Sequence, residues 1–318
     1  MEGSGLPRRR HGTGRLTRQE TGLGGAVETP SGKTAADENF PVGSWLLPAA
    51  KRPHVAAYYA FARAADDIAD HPALTPDEKV TRLVAFGEAL ETGGGDPALF
   101  AKAHRLRASL DATGVPRRHG LDLLSAFRQD AVKRRYADWA ELIDYCDRSA
   151  APVGRFLLDL HGEDRALWPA TDALCNALQV LNHLQDCGGD RRDLDRVYIP
   201  LDWLAERGGD VTDLDRPAAT PALRHAIDRC LDGVDALLDL ARPFPDALRN
   251  RRLAAESAVI VGLAERLTAR LRRGDPLAQR VALSKGDFAL CGVTGLLRGL
   301  LAPRRAMPAT PATAGLRR

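Results

Sequence analysis

The stretch YYAFARAADDIAD, residues 58–70, decides how this chain is read. Its first half is small and apolar, the pattern of a helix that packs closely on its neighbours. Its end carries three carboxylates, Asp66, Asp67 and Asp70, with Arg63 just upstream. Asp66 and Asp70 stand four residues apart, so on a helix they share a face. Like charges at that spacing repel by about 0.2–0.5 kcal/mol when exposed, and by more when partly buried. Too few basic residues flank the segment to offset this by simple i, i+4 pairing, so the pattern asks for a cation from outside it.

A second acidic segment, LQVLNHLQDCGGDRRDLDRVYIP, spans residues 178–200. Asn182, Asp186 and Asp190 recur at i, i+4 and i+8, again one stripe on a helix. Alone, one D-x-x-x-D is usually a solvated face. Two such stripes, each at the end of a largely apolar helix, raise the weight of a metal site to about that of the solvated face. Mg²⁺ takes oxygen ligands, keeps several waters and is commonly held by one or two carboxylates plus substrate phosphates. Facing stripes could therefore hold metals that bind a diphosphate, with Mn²⁺ as an alternative ion. Ala, Leu and Val faces below them would line an apolar shaft for a hydrocarbon. The Gly188-Gly189 pair costs about 1 kcal/mol per residue relative to Ala. It either weakens the second helix or breaks it for ligand entry, and the sequence leaves both open.

Composition narrows the alternatives. The 318 residues are 44% hydrophobic and 27% charged, with a net charge of +3 and 5% aromatics. That charge is too weak, and the aromatics too few, to argue for a nucleic-acid partner. Five cysteines, odd in number and without C-x-x-C, give neither a disulfide framework nor a zinc site. The cysteine pattern leads us to expect a cytoplasmic protein, and no apolar run is long enough to span a bilayer. No G-x-G-x-x-G and no P-loop occurs, so no nicotinamide cofactor is expected.

Helix signals cover most of the chain and strand alternation is nearly absent, which predicts an all-α body over residues 38–301 around a central apolar cavity. Residues 1–37 read as a disordered arm and 302–318 as a disordered basic tail. Helices are expected at 53–70, 75–91, 97–113, 116–135, 139–149, 152–160, 169–192, 202–207, 221–242, 245–273 and 286–301. Proline near several starts and a Thr cap at Thr75 support these boundaries. Among the histidines, His183 stands out because it adjoins Asn182 in the second stripe, although a hydrogen-bonded helix histidine remains the more common role.

Together these segments resemble the squalene/phytoene synthase family, whose two aspartate-rich motifs residues 59–70 and 178–200 match in order and separation. The resemblance covers nearly the whole body and implies an all-α isoprenoid-synthase fold. It implies diphosphate binding through Mg²⁺ held by Asp66, Asp70, Asn182, Asp186 and Asp190, with Asp67 alongside. It places Arg63 and Tyr59 by the phosphates, Gln179 at the substrate, and Arg196 and Tyr198 in a segment closing the site. ENFPVGSWLLP from Glu38, AFRQD from Ala126 and YCDRSAAPVGRFLL from Tyr145 are similar to the hydroxysqualene synthase branch of bacterial hopanoid biosynthesis. That branch takes presqualene diphosphate, expels diphosphate and captures the rearranged cation with water. Asn39, Phe40, Asp130 and Tyr145 are then substrate-side candidates, and Asn39, Asp130 or Tyr145 could hold the water.

The second motif departs from the family's usual R-D-x-x-E-D and G-R-x-Y-x-P, with Gln185 for the Arg, Gly189 for the Glu and Asp195 for the Gly. The loss of an Arg and a Glu is compatible with a site that handles one diphosphate. Two alternatives stay open: a head-to-head transferase making presqualene diphosphate or phytoene, and a non-catalytic prenyl-binding protein. The tail arginines, Arg304, Arg305, Arg317 and Arg318, raise the expectation of peripheral contact with anionic lipid and with neighbouring pathway enzymes, at about 1 kcal/mol per charge.

Overall fold

The computed structural model describes residues 47–305 and 307. Asn39, Phe40 and the arm at 1–37 lie outside the described residues, as does most of the tail. Twelve helices follow in order: α1 (Arg52–Ala69), α2 (Pro76–Thr92), α3 (Ala101–Thr113), α4 (Arg118–Val132), α5 (Trp139–Ser149) and α6 (Ala151–His161) come first. Then come α7 (Trp168–Leu194), α8 (Leu201–Ala205), α9 (Pro221–Ala241), α10 (Phe244–Ala247), α11 (Arg251–Arg273) and α12 (Lys285–Leu301). The fold is all-α, and the β pairing among the described residues is one isolated parallel bridge between Arg135 and Val197.

Local chemistry sets the starts. Thr75 and Glu78 form a reciprocal capping box on α2, and Ser284 with Asp287 does the same on α12. Asp138, Thr220 and Asn250 each accept a backbone N–H at the start of α5, α9 and α11. Such caps contribute about 0.5–2 kcal/mol each.

Three elements differ from expectation by three residues or more. Helix α3 starts at Ala101 instead of residue 97, because the Asp96 carboxylate first accepts the Ala98 N–H in a turn. Helix α4 ends at Val132 rather than 135, because the segment after it turns extended and pairs with 197–201, through Val197 N–H to Arg134 O at 2.9 Å and Leu201 N–H to Tyr136 O at 3.0 Å. The long helix expected over 245–273 is broken into α10 and α11. There the buried Glu163 carboxylate accepts the backbone N–H groups of Arg249 and Asn250, at 3.0 and 2.7 Å, holding Leu248 and Asn250 extended. The Gly188-Gly189 pair, in contrast, breaks nothing, and α7 runs straight through it.

The core joins α1 to α11, and α12 packs on α11 beside it. Phe61 of α1 stacks on Phe86 of α2 at 4.7 Å, and Tyr58 on Phe156 of α6 at 4.1 Å. Full burial of such a side chain stabilises by about 1.5–3 kcal/mol. Helix α1 packs on α2, α3 and α4, whereas α7 packs on α5, α6, α9 and α11. Helix α12 approaches α11 so closely that a Cβ on Gly299 would fall 2.1 Å from Ala255 Cα, so that position needs glycine. The first tail residues are tied to α12 and α10, with Arg304 donating to Gly299 O at 2.8 Å and Arg305 N–H to Asp246 O at 3.0 Å. No helix among the described residues is long and apolar enough to cross a membrane.

Candidate active site

Helices α1, α6, α7, α10 and α11 enclose a cavity of about 320 Å³. On α1 its wall is Val55, Tyr58, Tyr59 and Ala62, and on α7 it is Thr171, Leu174, Cys175, Leu178, Gln179 and Asn182. These residues recur at three- and four-residue steps, the spacing of one helix face. One further step along each face is an acid: Asp66 then Asp70 on α1, Asp186 then Asp190 on α7. Each acidic stripe is thus the C-terminal continuation of a cavity wall. Tyr59, Gln179 and Asn182 share the cavity, with the acids beyond them.

The C-terminal ends of α1 and α7 are joined directly. Arg196, the residue after the α7 cap, donates to Asp70 Oδ1 at 2.7 Å and to Ala69 O at 3.3 Å. Its own backbone N–H returns to Asp190 O at 3.0 Å. Burial works against the Arg196 charge, but the facing Tyr198, Asp70 and Asp130 outweigh it and raise its pKa. Arg63 bridges Asp66 and Asp67 at 3.2 and 3.3 Å. Asp67 lies about 100° round the helix from Asp66. It is buried, and its Oδ1 has no hydrogen-bond partner among the described residues although Arg63 lies beside it.

A second cluster backs the α7 stripe. Asp130 accepts from the Tyr145 hydroxyl at 2.8 Å and from the Tyr198 hydroxyl at 3.1 Å. Burial pushes the Asp130 carboxyl up to about 6, with Arg196 and the two phenol bonds opposing. Burial likewise raises both phenols, which stay protonated as donors. His183 stacks on Tyr198 at 3.5 Å, shares a 3.1 Å hydrogen bond with Gln179 and lies 3.8 Å from Asp190. The pairing of 134–137 with 197–201 brings Tyr136 onto the Tyr198 ring at 5.4 Å. The structure therefore unites Asp130, Tyr145, Gln179, His183, Arg196 and Tyr198, six residues singled out in the sequence, and adds Tyr136 as their neighbour.

The departures from the family's second motif have local explanations. Asp195, where a Gly is usual, takes left-handed backbone with φ 52°. That conformation costs an ordinary residue about 1 kcal/mol or more, and Arg135 and Arg191 hold the Asp195 side chain in place. Gln185 donates to Val281 O at 2.6 Å. A Cβ on Gly188 would meet Leu277 at 2.8 Å, but one on Gly189 would meet nothing within 4 Å. The space for the missing Glu side chain is there, without the side chain.

The donor set of the two stripes is all oxygen, with no thiol, since burial pushes the Cys187 thiol up to about 12 and takes it out of consideration. Such donors suit Mg²⁺ or Mn²⁺. Among the described residues no three His, Cys, Asp or Glu side chains gather tightly enough to ligate an ion by themselves.

Sequence reasoning missed Glu256 and Ser149, two polar residues of the cavity lining. Glu256 sits inside an Ala/Val run with Arg252 four residues before it, which reads as a routine helix-surface pair. In the structure Arg252 is exposed and Glu256 buried.

Residues 33–287 match the squalene/phytoene synthase family profile. The chain is 46% identical over 266 residues to a hydroxysqualene synthase of Rhodopseudomonas palustris, covering 83% of this chain and 90% of that one. It is 44% identical over 257 residues to a hydroxysqualene synthase of Sinorhizobium fredii, covering 81% and 87%. The crystal structure of a squalene synthase from Alicyclobacillus acidocaldarius superposes with a TM-score of 0.65 at 32% identity, covering 76% of this chain and 90% of that chain.

Proposed function

This chain belongs to the squalene/phytoene synthase family and is an enzyme, and from that premise we propose that it converts presqualene diphosphate to hydroxysqualene. Diphosphate leaves and water is captured, a carbon–oxygen lyase reaction that consumes no nicotinamide. The observation that carries the proposal is the cavity whose two apolar walls, on α1 and α7, both turn acidic at one end. A hydrocarbon fits the walls and a metal-bound diphosphate the end. The similarity to two hydroxysqualene synthases supports this reaction over the condensation of two allylic diphosphates.

Asp66, Asp70, Asn182, Asp186 and Asp190 would hold Mg²⁺, which supplies Lewis-acid neutralisation of the leaving diphosphate. The chain's own residues do the rest. Arg63 and Arg196 add positive charge beside the acids and orient the carboxylates they touch. Asp130, by accepting from Tyr145 and Tyr198, fixes the segment that carries Arg196 against the mouth. Val55, Ala62, Leu174, Leu178, Leu253 and Ile260 exclude bulk water, which would quench a cation before it rearranged. The reading places the reaction in the cytoplasm.

The test supplies presqualene diphosphate and farnesyl diphosphate separately, in Mg²⁺ and ¹⁸O-labelled water, with no nicotinamide. Labelled hydroxysqualene from presqualene diphosphate is the expected result. Unreacted presqualene diphosphate alongside condensed farnesyl diphosphate would move the protein to the transferase reading. Turnover of neither would leave a prenyl-binding protein.

A further inference from the structure

Glu256 lies on α11 between Leu253 and Ile260, and all three line the cavity. It is 6% exposed, and its Oε2 has no hydrogen-bond partner among the described residues. Ser149 Oγ, at the end of α5, is a second orphaned polar atom lining the same cavity. Each unpaired buried polar atom costs about 1–3 kcal/mol. An aliphatic residue would line a hydrocarbon cavity without that cost, so packing gives no reason for a carboxyl here. A buried water, however, needs about 2–4 polar partners. Two unsatisfied polar side chains from different helices, both lining this cavity, can each supply one.

Resting on the reading of this protein as a hydroxysqualene-forming enzyme, we propose that Glu256 is the base that takes the proton of the captured water, with Ser149 sharing that water. Loss of diphosphate leaves a carbon of the hydrocarbon one electron pair short. A lone pair of the water forms the new C–O bond while one O–H bond breaks. The electrons of that O–H bond stay on oxygen, and the proton passes to the Glu256 carboxylate. The products are a neutral alcohol and a neutral carboxylic acid, which returns its proton to solvent once the cavity empties. The competing fate of the same cation is loss of a proton from carbon, giving a non-hydroxylated lipid.

Burial alone pushes the Glu256 carboxyl up to about 7, where a base is balanced between its two forms. Facing it across the cavity are Tyr58 and Tyr59 of α1 and Cys175 of α7. Burial holds the Tyr58 phenol well above its ordinary value and Cys175 at about 12, so neither changes charge near neutrality. On the elements packed behind α11, Asp246 of α10 is bound to Arg298 of α12, Asp287 of α12 to Arg266 and Arg270, and Asp232 and Asp235 of α9 to Arg272.

The experiment follows two quantities on the full chain with presqualene diphosphate and Mg²⁺: diphosphate release, and the ratio of hydroxylated to non-hydroxylated lipid. The ratio reports partition of one cation and is insensitive to steps before it. Glu256→Gln should lower that ratio by about tenfold or more, a larger change than in diphosphate release. Ser149→Ala should lower it less. In the wild-type protein the ratio should rise with pH, with its midpoint near the value of about 7, and Glu256→Gln should abolish that dependence. An unchanged ratio in Glu256→Gln, or a wild-type ratio flat across neutrality, overturns the proposal. Should Glu256→Gln not fold, the wild-type profile and Ser149→Ala decide. A wild-type protein that makes hydroxysqualene with a flat ratio sinks the Glu256 role alone, whereas one that releases no diphosphate sinks the functional reading itself.

Discussion

At the mouth of the cavity Asp66 lies 3.2 Å from Arg63, and Asp70 lies 2.7 Å from Arg196. On the wall Glu256 has no cation beside it among the described residues, and burial pushes its pKa up. The two regions draw on the same carboxyl group for opposite purposes. Where a guanidinium lies within reach, the carboxylate has a fixed opposite charge beside it and is suited to bind charge. Where none does, the group sits near neutrality and is suited to move a proton. The contrast comes from placement: Asp66 and Asp70 stand at the C-terminal end of α1 beside arginines, whereas Glu256 lies in the second turn of α11, buried on its cavity face.

The largest expected effects separate the two regions by activity. Asp66→Ala and Asp186→Ala should each lower kcat/KM about 10²–10³-fold, the usual scale for removing a group that stabilises developing charge. Helical content by circular dichroism should stay near wild type, because neither residue is core. Full activity of Asp186→Ala in Mg²⁺ would break the two-stripe arrangement.

Next in size is the link between the stripes. Asp70→Ala leaves the Arg196 guanidinium, whose side chain is 9% exposed, without its carboxylate. Breaking a fully buried pair costs about 3–5 kcal/mol, and the partial exposure of Asp70 reduces this to about 2 kcal/mol. Asp70→Asn, which keeps an oxygen acceptor, should recover part of the lost stability in urea denaturation. Equal loss in both variants would mean that the carboxylate charge, and not a neutral oxygen acceptor, holds α1 to the 196–198 segment.

The pH dependence of stability probes the wall. Folded protein keeps the Glu256 proton up to about pH 7, whereas the unfolded chain releases it near 4.5. The folded state therefore binds the extra proton in that window, and stability falls as pH rises through it. The contribution is complete below about 4.5 and gone above about 7, a span of about 3 kcal/mol by the proton-linkage relation. Asp130, raised to about 6, adds a decline in the same direction at lower pH. Glu256→Gln should flatten the upper part of the melting-temperature profile and leave the lower part. An identical profile in wild type and variant would show that Glu256 is not buried as a neutral acid.

Much of this was legible in the sequence, for reasons that differ between regions. Apolar periodicity and caps such as Thr75 announce helices locally, and the acidic stripes announce themselves by spacing. The break before Arg251 was not legible, because its cause is Glu163, distant in sequence and brought to the Arg249 and Asn250 N–H groups only by folding. Asp130 and Tyr145 were recognisable as candidates, but their hydrogen bond was not, nor was the stacking of His183 on Tyr198. Glu256 was hidden because burial of one face of α11, not its neighbours in sequence, makes it unusual.

The smallest expected effect concerns the position where the mouth lacks an acid. Gly189 lies on α7 between Asp186 and Asp190, and a Cβ there would touch nothing within 4 Å. Gly189→Glu should therefore fold. Replacing a mid-helix glycine contributes up to about 1 kcal/mol of helix propensity, and repulsion from neighbouring acids subtracts some tenths of that. The net change in melting temperature should be slight in metal-free buffer. With Mg²⁺ present, the added carboxylate should offset its own repulsion and raise the melting temperature more than it does in wild type. Gly188→Glu is the control, since its Cβ would fall 2.8 Å from Leu277 and should destabilise with or without metal. If Mg²⁺ fails to distinguish Gly189→Glu from wild type, the added acid does not face the ion. The α7 stripe would then be narrower than the spacing of Asn182, Asp186 and Asp190 implies. If it does distinguish them, the mouth is a site whose charge can be tuned one carboxylate at a time, as the buried wall cannot.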